Sequence, residues 1–344
     1  MCCQFLDFVY NQSMTNFDPQ LSTSLAVFFS LFAAFCWGTW FIALKHLGDY
    51  PVDAFYVTLF SASLLLVWGV GYAFDGPALL EDLRRMAAAE PIRIWVVLGC
   101  GVLYVIGLRL SLAAMQMIGL TLTQPIYASA NVLAGTLIAA LVGGVPQGLS
   151  IPRLGLGVVF LLAAVAATMA AGRLRASSAA GDSSPAARTT LWKALWVLLV
   201  SAALIPAYTL AISYGLRSVS HPQGLAVLPF MALLASGAFI GALLAGGGML
   251  TRRKQWGRLF RAPMRLHLYA VLSALAHYGG NIIHTFATAR LSSVVSWPLG
   301  FTSGLWTQMW GLIYGEFRGA PRPAYLWLAA GVLLYALGAW LIAF

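Results

Sequence analysis

His277, Asn281, His284 and Thr288 advance by four, three and four positions through an apolar run, so a helix would carry all four on one face. Imidazoles take up and return protons near neutrality, and a carboxamide both donates and accepts hydrogen bonds. Groups of this kind are costly in hydrocarbon and are kept there facing a cavity or a partner helix. The stripe therefore points to a polar solute or a proton, the plainer alternative being imidazoles hydrogen-bonded to neighbouring helices. Trp37, Trp40, Gln124, Tyr127, Asn131, Tyr208, Trp297, Trp306 and Gln308 lie in comparable surroundings. With His277, Asn281 and His284 they make an expected substrate-binding set: flat aromatic walls and amides suit a planar or ring-shaped neutral polar solute. Trp40 and Trp306 fit equally as packing or interfacial residues.

Charged residues supply a second set, for proton coupling or gating. Arg109 stands sixteen residues from Arg93 and ten from Gly119, about 15 Å from the nearer end of its run at ~1.5 Å per residue. That depth calls for an internal partner: a carboxylate, carbonyls of a broken helix, solute, or a static packing pair. None of the ten acidic residues falls at a predicted helix centre. A coupled proton would then ride on His277 or His284. Lys45, Asp53 and Glu316 approach one membrane face, where Lys45–Glu316 or Lys45–Asp53 would latch a gate or form a plain solvated pair.

The elements that must position these groups follow from composition. In 344 residues, 60% are hydrophobic and 9% charged, and mean hydropathy is +0.83. A soluble domain of this size needs far more polar surface, so the chain is read as a multi-pass integral membrane protein of a plasma or inner membrane. Windows of about 20 apolar residues, the length that crosses roughly 30 Å of hydrocarbon, fall at 25–46, 54–74, 94–117, 119–143, 154–172, 193–214, 224–247, 266–288, 291–315 and 324–344. They are numbered here as segments 1 to 10. The net charge of +10 resides mostly in loops, as topology signals do, and excludes a nucleic-acid partner in favour of membrane lipid. Thirteen of the twenty Lys and Arg fall after odd-numbered segments, which places both termini outside.

Self-similarity organises the segments. Pro125 superposes on Pro298 and Gly107 on Gly280 at an offset of 173, while 171 puts Pro51 on Pro222 and Trp37 on Tyr208. Five segments per copy is odd, so the second copy enters the membrane in the opposite sense. The expected fold is thus an all-α integral membrane protein with ten transmembrane helices in two inverted five-helix repeats. A short N-terminal tail, 1–24, precedes the first repeat, 25–172. A Ser/Ala/Gly/Pro-rich linker, 173–192, leads to the second repeat, 193–344. Under this symmetry the face of His277, Asn281, His284 and Thr288 meets that of Tyr104, Leu108, Ser111 and Met115 across a central cavity. Pro125 and Pro298 are expected to loosen segments 4 and 9. Small residues in segments 5 and 10 suit packing on the outside of each repeat and a homodimer seam.

Cys2, Cys3, Cys36 and Cys100 have no metal or redox spacing. Cys2 and Cys3 are acylation candidates, and Asn11-Gln12-Ser13 is a sequon, but a start at Met14 would remove all of these. No cleavable signal peptide is evident, because the first apolar run is full length and lacks a basic leader. No HExxH, GxSxG, DxD or Walker pattern occurs, so no catalytic residue, metal or cofactor is expected.

CWGTWFIALKHLGDYPVDAFY, GVLYVIGLRLSLAAMQMIGLTLTQPIYAS and GGNIIHTFATARLSSVVSWPLGFTSGLWTQMWGLIYGEFRG resemble the drug/metabolite transporter superfamily. The likeness is greatest to the branch with ureide permeases and glucose and rhamnose transporters. It implies ten helices in two inverted repeats, a central site between segments 1–4 and 6–9, and often proton-coupled movement of sugars, ureides or nucleobases. Gly107-Leu108 followed by Arg109 departs from the branch's usual Gly-Asn in segment 3. The cytoplasmic termini of many superfamily members also differ from the charge count. The expected function is a secondary transporter or facilitator that moves a small neutral polar solute by alternating access. A drug or metabolite efflux carrier is one alternative; a membrane enzyme using His277 and His284 is a remoter one.

Overall fold

The computed structural model describes residues 16–118, 120–177 and 185–344. Cys2, Cys3, the sequon at Asn11 and Met14 lie outside the described residues. The described chain is helical almost throughout and forms no strand. In order the helices are α1 (Thr23–Thr39), α2 (Val52–Asp75), α3 (Pro77–Ala89), α4 (Pro91–Ile118), α5 (Leu120–Val142), α6 (Ile151–Ser177), α7 (Pro185–Leu204) and α8 (Ala207–Gly215). They continue with α9 (Val227–Ala242), α10 (Gly248–Arg252), α11 (Trp256–Phe260), α12 (Met264–Leu291), α13 (Ser293–Gly300), α14 (Ser303–Ile313) and α15 (Arg322–Ala343). A 3₁₀ segment, Trp40–His46, extends α1, and a π segment, Leu243–Gly247, joins α9 to α10.

Seven helices among the described residues are long and apolar enough to cross a membrane: Thr23–His46, Val52–Asp75, Pro91–Ile118, Ile151–Arg175, Trp192–Gly215, Val227–Arg252 and Arg322–Ala343. The expected segments outside this set are 4, 8 and 9. Segment 4 is the 23-residue α5, whose described side chains include the apolar stretch Tyr127–Val142. Segment 8 is the 28-residue α12, diluted by its polar stripe. Segment 9 is divided into α13 and α14.

Four boundaries differ from the sequence expectation. Segment 6 is α7 and α8, because Pro206 has no N–H to continue the ladder beyond Leu204. Segment 9 breaks at Phe301 and Thr302, just after Pro298, whereas α5 runs unbroken through Pro125. Pro125 falls in the second turn of α5, where few residues precede it and no separate segment can swing. α3 escaped the search for apolar windows because it is amphipathic: Ala78, Leu79, Asp82 and Met86 recur at helical spacing and are buried, with charges between them. Helix also occupies much of the expected linker 173–192, to Ser177 and from Pro185; residues 178–184 lie outside the described residues.

The small residues of α6 and α15 face each other within the chain. Gly157 abuts Ile342 and the Gly338 carbonyl, and Gly331 abuts Thr168. These small-residue faces pack α6 on α15 within one molecule, while Gly155 on α6 has open space beside it. The main core gathers around Phe55, Tyr56, Phe60, Phe230, Met231 and Tyr278. At the Arg93 end, α3 closes the bundle: the Asp82 carboxylate accepts from the Ala226 N–H at 3.0 Å and from Arg85. Arg93 donates to His221 at 3.0 Å and to the Tyr214 carbonyl. Burial, then the adjoining Arg93 charge, holds His221 below its ordinary value, in keeping with a neutral ring that accepts.

α4 and α9 approach at backbone distance. A Cβ at Gly237 would run into the Leu98 carbonyl and one at Gly241 into that of Val102, whereas Gly99 faces open space. Helical backbone cannot yield as a side-chain tip can. Gly237→Ala is expected to destabilise by about 1–3 kcal/mol, read as a lower midpoint in a thermal melt of purified protein. Gly99→Ala should leave the midpoint unchanged or raise it.

Candidate functional site

Trp37 is the hub of the interior. It sits in the last turn of α1, with its ring against Gly300 and its flank against Gly280. A side chain at either glycine would occupy the space of the indole. Gly38 in turn admits the α14 backbone, its missing Cβ lying 2.6 Å from the Ser303 carbonyl. So placed, Trp37 Nε1–H donates to Asn281 Oδ1 at 2.7 Å and joins α1 to α12. Its ring stands edge-on to Tyr208 at 6.2 Å and Trp297 at 6.4 Å, and tilted over His284 at 4.7 Å.

Beside it lies a cavity of about 110 Å³, room for several waters at the ~10–15 Å³ each requires, or for one small solute. Trp37, Trp40, Tyr127, Tyr208, His277, Asn281 and Trp297 line it, as the sequence suggested. Across from them stand Tyr104, Leu108, Ser111 and Met115, the face expected to meet the α12 stripe. No Asp, Glu, Lys or Arg is among the described lining residues. Three buried polar atoms of the lining residues have no partner: Asn281 Nδ2, a donor, His277 Nδ1 and the Tyr208 hydroxyl. His277 is itself stacked on Trp40, centroids 5.0 Å apart. Aromatic faces and unpaired amide and imidazole atoms can hold a neutral ring by stacking and two hydrogen bonds.

Four expected residues stand elsewhere. His284 and Asn131 are both fully buried behind the wall. His284 Nε2 lies 3.1 Å from the Ser296 carbonyl, an acceptor only, so that nitrogen carries the proton. Thr288 beside it bonds Ser296 Oγ at 2.7 Å. Asn131 spends Nδ2 on its own helix at Tyr127 O, and its carbonyl accepts from Trp297 Nε1 at 3.1 Å. Trp306 packs edge-on against Phe35 at 5.0 Å, and Gln308 is outside the lining. The Gln124 side chain lies outside the described residues. The stripe advances about one turn per step and so also travels along the helix axis, and only its first two members lie at the level of the cavity. Sequence reasoning missed Ile205, Phe301 and Ser303, which sit at the two helix breaks, and Thr307, about one turn into α14. Pro206 and Pro298 were the available signals.

The cavity is sealed toward α13, all of whose residues are buried, and where Ser213 Oγ donates to Ser293 Oγ at 2.9 Å. It extends the other way, past Ser303 and Thr307 toward the end bearing Lys45 and Glu316. There Lys45 pairs with Glu316, which Arg175 also approaches at 3.3 Å. The expected alternative, Lys45–Asp53, does not form. Asp53 instead takes Arg109 Nε–H at 2.6 Å, with Arg253 at 3.6 Å. Asp53 looked interfacial from its place at a helix start but is 2% exposed, because α4 and the 248–255 turn close over it.

A scan against protein-family models finds no match for the chain, and a search of curated proteins finds no significant relative.

Breaking the Arg109–Asp53 pair leaves a buried guanidinium with no counter-charge. Asp53→Asn is expected to destabilise by about 3–5 kcal/mol, whereas Asp53→Asn with Arg109→Met should recover most of that loss. Thermal melts of the wild type, both singles and the double variant measure the coupling. Additive losses would show the pair to be independent.

Proposed function

We propose that the chain is a secondary transporter or facilitator for one small neutral polar solute, a sugar or a ureide or nucleobase, working by alternating access between two halves. The carrying observation is the uncharged, aromatic-walled cavity at Trp37 and Asn281, with the unpaired polar atoms of Asn281, His277 and Tyr208 left for a solute. The absence of a carboxylate among its described lining residues weighs against hydrophobic cations, hence against the efflux reading.

Ten spans in two inverted five-helix repeats are part of the same reading. The helix packing supports it. Exchange of the halves maps the α1–α12 contact onto α4–α7 and the α4–α9 contact onto α2–α12, and all of these are extensive. The α2–α9 and α6–α15 contacts map onto themselves. Membership of the drug/metabolite transporter superfamily is proposed on the sequence resemblance, to which this packing adds. The solute would be held between Trp37, Trp40, Tyr208 and Trp297, with Asn281 and His277 reading its polar edge. The Lys45–Glu316 contact joins 3₁₀ segment to α14 exit, one from each half, and would serve as the latch on that side. A coupled proton would travel on His277, which faces the cavity; His284 is committed to Ser296. An enzyme using both histidines draws no support from this division, since His284 does not reach the cavity.

Purified protein screened by thermal shift against glucose, rhamnose, allantoin, uracil and a hydrophobic cation tests the reading, because a ligand that binds only the folded state raises the midpoint. A shift with a neutral compound, lost in Asn281→Ala, and uptake of that compound by proteoliposomes are expected. Uptake unchanged in Asn281→Ala would remove the site assignment, and a shift with the cation alone would move the function to efflux.

A further inference from the structure

The end of the molecule that bears Lys45 holds a second concavity, of about 530 Å³, between residues 47–50 and the turn and helix of 254–266. Lys254, Arg258 and Arg261 line it against one carboxylate, Asp49. The walls are built. Arg258 donates to the Asp49 carbonyl and ties one wall to the other. Lys254 has φ +56°, a left-handed conformation rarely adopted by a lysine, and the turn around it is closed by Gln255 N–H to the Leu250 carbonyl at 2.8 Å. α11 is fixed from behind by Trp256, which stacks on Phe260 at 6.0 Å and donates to Thr251 Oγ1 at 2.8 Å. No described acidic side chain pairs with Lys254 or Arg261.

Two large apolar side chains accompany these charges. Phe260 is 74% exposed and Met264 79% exposed, and they flank Arg261 in sequence. A soluble anion gains nothing from them, whereas at a bilayer surface apolar side chains enter the acyl region while cations remain at the phosphates. We infer that this concavity binds the phosphate headgroup of an anionic phospholipid, with Lys254 and Arg261 on the phosphate and Phe260 and Met264 beside the chains. The site is separate from the central cavity and does not depend on what that cavity carries. Its floor, residues 47–50, connects the 3₁₀ segment of Lys45 to the Asp53 turn, so an occupant would brace both ion pairs.

The test uses the full chain in phosphatidylcholine nanodiscs titrated with phosphatidylglycerol, with lipid retention read by native mass spectrometry and stability by thermal melt. Lys254→Gln with Arg261→Gln should weaken phosphatidylglycerol binding by at least about tenfold, given the usual contribution of a basic residue near an anionic surface. Its midpoint in phosphatidylcholine alone should be unchanged, which reports on folding; each single substitution repeats the measurement should the double variant not fold. Arg252→Gln with Arg265→Gln removes the same charge outside the concavity and should cost less than twofold. Equal losses in the two double variants, undiminished binding in the first, or an equal stabilisation by inorganic phosphate would each overturn the assignment.

Discussion

The hydrogen bond from Trp37 to Asn281 ties the first half of the chain to the second, and much of the interior is arranged so that it can form. An indole this large fits between α12 and α13 only because Gly280 and Gly300 leave room for it. Once the indole is there, its N–H needs an acceptor, and Asn281 Oδ1 is the one within reach. That commitment turns the other amide atom, Nδ2, toward the cavity with nothing to hold it. The same indole covers His284, which leaves His277 as the imidazole on the wall. One donor and acceptor pair thereby settles which polar groups belong to the scaffold and which are left for a solute.

Several deep hydroxyls elsewhere are satisfied by backbone carbonyls of neighbouring elements. The Tyr56 hydroxyl donates to the Val105 carbonyl at 2.6 Å, that of Ser201 to Gly107 at 2.8 Å, and that of Ser273 to Trp40 at 2.7 Å. Each of these bonds crosses between elements rather than remaining within a helix. In a setting where apolar contact alone favours no particular helix partner, they specify the packing that the glycine faces permit.

Much of this architecture was legible in the sequence, because lipid imposes long apolar runs and punishes unpaired polar groups. The stripe at His277 and Asn281 and the face from Tyr104 to Met115 that meets it could be read from spacing, as could Lys45–Glu316 as one of two contacts open to Lys45. The remainder depended on distances that spacing does not encode. Whether a polar side chain on the correct face reaches the cavity depends on what covers it, which is why His284 and Asn131 fall behind the wall. Asp53 found Arg109 because two helices cross, a fact absent from either helix alone. α3 was hidden by its charges, and the break at Pro206 by apolarity continuing on both sides.

The interruption at Phe301 and Thr302 divides one expected span into rods of very different surroundings. α13 is buried along its whole length, while α14 buries only Gly311 completely. Between them the backbone runs through i to i+3 bonds, such as Phe301 N–H to the Pro298 carbonyl at 3.1 Å, in place of a continuous α-helical ladder. α13 is thus held along its whole length, whereas α14 is held chiefly along α1, through the Gly38 approach and the Trp310 Nε1–H bond to Thr39 Oγ1 at 3.0 Å. A break in the ladder couples two rods less stiffly than continuous helix would, so α14 belongs mechanically with α1 more than with α13.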